Sequence, residues 1–386
     1  MKMWLAKHRA KAELVKAFRN GEIGNRYSYG SNSGLVYPKI LSVNISRKEK
    51  SLTYIFSIPT GMDPKEIKKK EYCFMQVFGE KIEIKGDTKV FTLKVYVGND
   101  SNLIRYDADL FREQANKMRL PIVCGTDMNG ANVLYDMVEH PHLLIAGETG
   151  SGKSTQLRSI LSSLIQFKNP DRLQLYLCDL KRSEFHIFRR VKHVQSVLVS
   201  PVVMTAMLAY LSEELKKRGD LLDAHELSHI DDLPDPPPYI VLCIDEVALL
   251  RKEKVIMAIV EDISAIGRAL GIFLILSMQR PDAKLLEGAL KNNLTVRMGF
   301  KCADLINARI IGTPGSEKLK ENGRMLLKLQ GQDGLKEIQA PYLCLDEAKS
   351  ILESHKSPFT KKPFKEPSKS SDNDSQIIDS IFEVLD

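Results

Sequence analysis

The chain has 386 residues, 43% hydrophobic and 27% charged, which suits a soluble globular protein of two or three domains with a large core. No run approaches the roughly 18 apolar residues of a membrane span, and the N-terminus "MKMWLAKHRAKAELVKAFRN" is too charged for a signal peptide, so a cytoplasmic protein without a transmembrane segment is expected. The formal charge of +7 is uneven: residues 1–50 hold eleven Lys/Arg against three Glu, leaving the remainder close to neutral.

Residues 1–20 are predicted as an amphipathic helix, with Trp4, Lys11, Leu14, Val15 and Phe18 near helical spacing. Its basic charge suits nucleic acid or an anionic membrane surface, and equally a solvated helix face. "GNRYSYGSNSG" (24–34) is a turn-rich break, so residues 1–35 are set apart as a basic helix and linker. Short alternating runs follow ("KILSVNISRK", "LTYIFSIPTG", "KIEIKG", "VFTLKVYV"), with one charged helix, "DPKEIKKKEYCFMQVFG", among them. They predict a small α+β subdomain over 36–119.

"LPIVCGTDMNGANVLYDM" (120–137) reads as a hairpin opening the main domain, 120–349. From His142 onward, nearly continuous apolar runs ("HLLIAG", "LQLYLCDL", "YIVLCIDE", "GIFLILSM", "TVRMGFK") alternate with helical patterns near 153–166, 202–223, 253–270 and 282–291. That alternation predicts an α/β domain with a mainly parallel sheet covered on both faces. "DDLPDPPPY" (231–239) is a proline-rich loop. Residues 350–386 are polar and expected as a disordered tail, with a short C-terminal helix in "QIIDSIFEVLD". The six cysteines never fall as C-x-x-C, and Cys178 and Cys243 lie in strand-like runs, so buried reduced thiols are expected rather than metal ligands.

Gly147-Glu148-Thr149-Gly150-Ser151-Gly152-Lys153-Ser154 matches G-x-x-x-x-G-K-[ST], between an apolar strand and a helix. Glycines let backbone N–H groups turn inward, and the helix N-terminus offers partial positive charge to phosphate. ATP is therefore expected on residues 147–155, Thr155 included, with Lys153 on the β- and γ-phosphates and Ser154 on Mg²⁺. "YIVLCIDEVALL" ends a buried strand in two acids, which is costly unless something cationic or a water needs them. Asp245 suits the Mg²⁺ shell, and Glu246 suits the base that polarises the attacking water. Gln279, at the tip of "GIFLILSMQRP", suits a γ-phosphate sensor. All three tips share the carboxyl edge of one sheet, where open α/β folds bind ligands.

No LSGGQ-like signature marks a transporter ATPase, and no N-K-x-D follows the cradle as in a GTPase. "HLLIAGETGSGKS", "LYLCDLKRSEF", "IDEVALL", "GRALGIFLILSMQRP", "TVRMGFK" and "ARIIGTPGSEKLKENGRMLL" together resemble the FtsK/SpoIIIE family of double-stranded DNA translocases, in that family's order. The resemblance covers residues 120–345 and implies a RecA-like P-loop NTPase motor. It also implies a hexameric ring that threads duplex DNA and hydrolyses ATP at subunit interfaces. It implies Arg297 of "TVRMGF", or Arg268 of "GRALG", as the finger supplied by a neighbouring subunit. Arg309, Lys318 and Lys320 match the family's pore-lining segments and would grip DNA phosphates without reading sequence.

The chain departs from chromosome-segregating members, since no N-terminal membrane domain, long linker or C-terminal winged helix is present in this sequence. The compact form resembles motors of Gram-positive plasmids and integrative elements, which implies a role in element transfer or maintenance with a relaxase or replication protein. Two alternatives keep the cradle: a conjugative ATPase that pumps single-stranded DNA, and a nucleotide-gated DNA-binding scaffold. A protein-export ATPase is a third.

Overall fold

The computed structural model describes residues 2–29, 32–46, 51–79, 82–96, 103–286 and 288–358. The chain forms two compact units, Met1–Ser101 with Met128–Ala131, and Asn102–Asp127 with Asn132–Asp386.

The first unit begins with helix α1 (Lys2–Asn20) and a hairpin of β1 (Asn25–Tyr29) and β2 (Asn32–Val36). Strands β3 (Lys39–Ser46), β4 (Ser51–Ser57), β5 (Ile82–Lys85) and β6 (Val90–Tyr96) form an antiparallel sheet in the order β3-β4-β6-β5. Helices α2 (Lys65–Lys69) and α3 (Glu71–Phe78) occupy the stretch expected as one charged helix. Leu14, Ala17 and Phe18 of α1 are fully buried, and the Phe18 ring packs edge-on against Phe56 at 5.1 Å and Phe74 at 6.0 Å. The expected boundary at residue 35 therefore cuts through one core. The apolar stripe of α1 covers the sheet while Lys7, Arg9, Lys11, Lys16 and Arg19 stay in solvent, the usual division of an amphipathic helix.

The second unit opens with β7 (Ile104–Arg105), α4 (Asp109–Ala115) and the hairpin β8 (Pro121–Asp127)/β9 (Asn132–Asp136), so residues 102–119 group with the main domain rather than the small one. There follow β10 (Leu143–Ala146), α5 (Lys153–Phe167), β11 (Leu173–Asp179), β12 (Val194–Leu198), α6 (Pro201–His225) and β13 (Tyr239–Asp245). Next come α7 (Lys254–Ile266), β14 (Ile272–Met278), α8 (Gly288–Asn293), β15 (Val296–Phe300) and α9 (Leu305–Ile311). The unit closes with β16 (Arg324–Leu329), β17 (Lys336–Gln339), β18 (Pro341–Tyr342) and α10 (Leu345–Glu353).

Ten strands make one sheet in the order β12-β11-β13-β14-β10-β15-β16-β17-β8-β9. The first six are parallel and the last four join antiparallel. Every residue of β10, β13 and β14 is buried, which explains why they read as unbroken apolar runs. Cys178 in β11 and Cys243 in β13 are free thiols that burial pushes far up in pKa. Helix α10 carries residues 350–353, expected as tail, because its buried Leu352 belongs to the main core. The C-terminal helix expected over 376–386 lies outside the described residues.

Candidate nucleotide-binding site

Strand β10 ends at Ala146, and the chain turns through 147–152 into α5. Two glycines are dictated by space. A Cβ on Gly147 would meet Phe300 Cβ at 2.6 Å; Gly152, at φ 107°, would meet the backbone of Gly323 at 2.8 Å. The loop thus packs against β15 on one side and the 321–323 turn on the other. Lys153 opens α5 with its ammonium buried inside: Nζ donates to Ser277 Oγ at 3.1 Å and lies 3.8 Å from Asp245 Oδ1. Ser277 Oγ donates in turn to the same Asp245 oxygen at 3.0 Å. Burial pushes the Asp245 carboxyl up in pKa, and the Lys153 charge and the Ser277 hydrogen bond oppose that shift.

Glu246 follows in left-handed backbone, φ 59°, which is uncommon for a residue with a side chain. Its side chain is 7% exposed. Oε2 takes the Lys181 ammonium at 2.6 Å, and the Gln279 backbone N–H donates to both oxygens, at 3.1 and 3.2 Å. Gln279 Oε1 accepts from the Thr149 hydroxyl at 3.4 Å, so one residue links the acidic pair to the glycine-rich loop. The fold brings Lys153, Asp245, Glu246 and Gln279 together. Ser277 and Lys181 are also there, assigned no role by the sequence motifs that contain them; "LYLCDLKRSEF" holds the signal for Lys181, but a linear pattern does not tell which way its cations face.

Ser154 and Thr155 are partly exposed on the first turn of α5. A serine hydroxyl and a buried carboxylate are hard oxygen donors that fit Mg²⁺. Among the described residues no group of three His, Cys, Asp or Glu could hold a metal, so a magnesium ion here would take its other oxygens from nucleotide and water.

The segment 302–322 carries Arg309, Lys318 and Lys320, all exposed. Both of its ends are fastened to the glycine-rich loop. At the start, Glu148 N–H donates to Lys301 O at 2.9 Å, and the Lys301 ammonium lies 3.5 Å from Glu148 Oε1. At the end, Gly323 N–H donates to Ser151 O at 2.8 Å.

The two candidate finger arginines differ. Arg297 is turned inward: its guanidinium donates to Leu294 O (3.3 Å), Ile311 O (3.0 Å) and Lys291 O (2.6 Å), and burial lowers its pKa. Arg268 is exposed, in the turn before β14, with Nε on Val138 O at 3.2 Å.

Residues 107–235 match the FtsK/SpoIIIE family model. The DNA translocase FtsK of Helicobacter pylori (strain J99) is 30% identical over 259 residues, 64% of this chain and 30% of that protein. FtsK of Borreliella burgdorferi is 34% identical over 229 residues, 56% and 29% respectively. These matches support an FtsK/SpoIIIE-family member. It spans about a third of the length of these curated relatives. Among solved structures, the pCW3 conjugation coupling protein TcpA, a monomer form with ATPγS, is 27% identical and matches 89% of this chain and 99% of its own, with a TM-score of 0.60. ATPases 2 and 3 of EssC from Geobacillus thermodenitrificans share 19% identity over 67% of this chain and 52% of theirs, with a TM-score of 0.59, a likeness of fold alone. The family match and the likeness to TcpA support a P-loop ATPase fold. Among the described residues no helix is long and apolar enough to cross a membrane.

Proposed function

We propose that the chain is an ATP-driven DNA-translocating motor that acts as a homo-oligomeric ring, a Mg²⁺-dependent ATPase whose stroke moves a polyanion. The observation that carries this reading is the double fastening of 302–322. A segment bearing three exposed cations is hydrogen-bonded at each end to the loop that cradles phosphate, so a change at the nucleotide moves the part that would grip DNA.

In this mechanism the glycine-rich loop's N–H groups and the α5 N-terminus bind the phosphates. Lys153 leaves Asp245 for the incoming phosphate oxygens; Asp245 and Ser154 would hold a magnesium ion, which would supply neutralisation of the phosphate charge. Glu246 orients the attacking water and takes its proton, and Gln279 reports the γ-phosphate to both sides of the site. An arginine from the neighbouring copy completes it, an effect worth roughly 10³–10⁵ in rate. Arg268 is the better suited of the two candidates, since Arg297 would have to give up three carbonyl partners.

The likeness to TcpA along nearly its whole length favours DNA transfer in conjugation over chromosome segregation, with a relaxase or replication protein as partner. ATP turnover measured with no DNA, duplex DNA and single-stranded DNA tests the substrate. Duplex is expected to stimulate most. Greater stimulation by single strands supports the coupling-ATPase alternative, and no stimulation by either removes DNA from the mechanism.

A further inference from the structure

We propose that Lys181 is a positioning residue for hydrolysis, one that fixes the Glu246 carboxylate where it can act on water. The inference rests on Glu246 being the base. Three features of the fold converge on this lysine.

First, its backbone is held rigidly. Asp179, at the tip of β11 and 1% exposed, accepts N–H bonds from Ser183 (3.1 Å), Glu184 (3.0 Å) and Phe185 (2.9 Å), so the turn after β11 is wound around one carboxylate. Second, the sheet register aligns that turn with the acidic pair, for Asp179 lies opposite Asp245. Lys181, two residues beyond one, meets Glu246, one residue beyond the other. Third, the same turn is tied to the phosphate-binding helix, where Arg158 of α5 donates to Glu184 at 3.0 Å.

Glu246 needs such support. Its left-handed backbone is costly for a residue bearing a Cβ, and a buried carboxylate without a cation is costlier. The Gln279 N–H spans both oxygens and leaves the carboxylate free to pivot; the Lys181 contact at Oε2 removes that freedom. Lys153 already serves Asp245 and is needed by phosphate, so each acid of the pair has its own lysine.

The test compares Lys181→Met, Lys181→Arg, Glu246→Gln and the double variant Lys181→Met/Glu246→Gln in the full chain, by ATP turnover, binding of a fluorescent ATPγS and thermal melting. Lys181→Met is expected to lower kcat by about 10- to 100-fold, the cost of a displaced catalytic group, with KM and ATPγS affinity changed by less than about twofold, as for an interaction made only in the transition state. Lys181→Arg is expected to recover most of the rate, and Lys181→Met to add nothing in the Glu246→Gln background. Lys181→Gln repeats the comparison if the methionine variant melts early. Unchanged kcat, ATPγS affinity falling in step with kcat, or an equal loss in the Glu246→Gln background would each overturn the role of Lys181 alone. Wild-type turnover by Glu246→Gln would instead overturn the base assignment, and this inference with it.

Discussion

Two lysines and two acids, one lysine from the start of α5 and the other three from strand tips or the turns just beyond them, form the charge balance of the candidate site. Lys153 is 4% exposed and shares Asp245 with Ser277, so its ammonium already sits where charge is concentrated. Replacing it by alanine removes a charge-assisted donor to phosphate worth roughly 1.5–3 kcal/mol. Lys153→Ala is therefore expected to weaken ATPγS binding by about 10- to 100-fold, measured by titration. Asp245 then loses the cation that opposes its upward pKa shift, and is expected to take up a proton rather than unfold the domain. A melting curve close to that of the parent, beside lost binding, checks this.

At the scale of elements, the 302–322 excursion and the glycine-rich loop behave as one part. Gly323 has φ 80°, and its N–H holds Ser151 O while its carbonyl accepts from Ala340 N–H at 2.8 Å. An alanine there would carry its Cβ 2.7 Å from Gln339 Nε2, a side chain that can shift, so the main cost is backbone strain of roughly 1–2 kcal/mol. Gly323→Ala is expected to reduce the DNA-stimulated increment of ATP turnover more than the basal rate, because the far end of the excursion loses its seat. Equal loss of both rates would argue that the turn serves only the nucleotide. Gly152 tolerates less, since any Cβ there strikes the Gly323 backbone itself.

For the whole molecule, a motor that grips phosphates through Arg309, Lys318 and Lys320 should bind DNA without sequence preference and with strong salt dependence. The logarithm of affinity is expected to fall by about 0.9 per log unit of salt for each phosphate contact, and a flat dependence in a titration series would remove these cations from the interface. The sequence by itself pointed to the candidate nucleotide site and determined the class of fold. G-x-x-x-x-G-K-S is a local motif, and the unbroken apolar runs of β10, β13 and β14 could only be strands buried on both faces. Tertiary structure decided what depends on direction and register. The basic N-terminal helix belongs to a core because Leu14, Ala17 and Phe18 meet the aromatic rings of a sheet distant in sequence. Arg297 points inward because three carbonyls from α8, its C-terminal end and α9 converge on it. Lys181 reaches Glu246 only because parallel pairing sets Asp179 beside Asp245, 66 positions along the chain, and no local pattern records a neighbour brought in by a sheet.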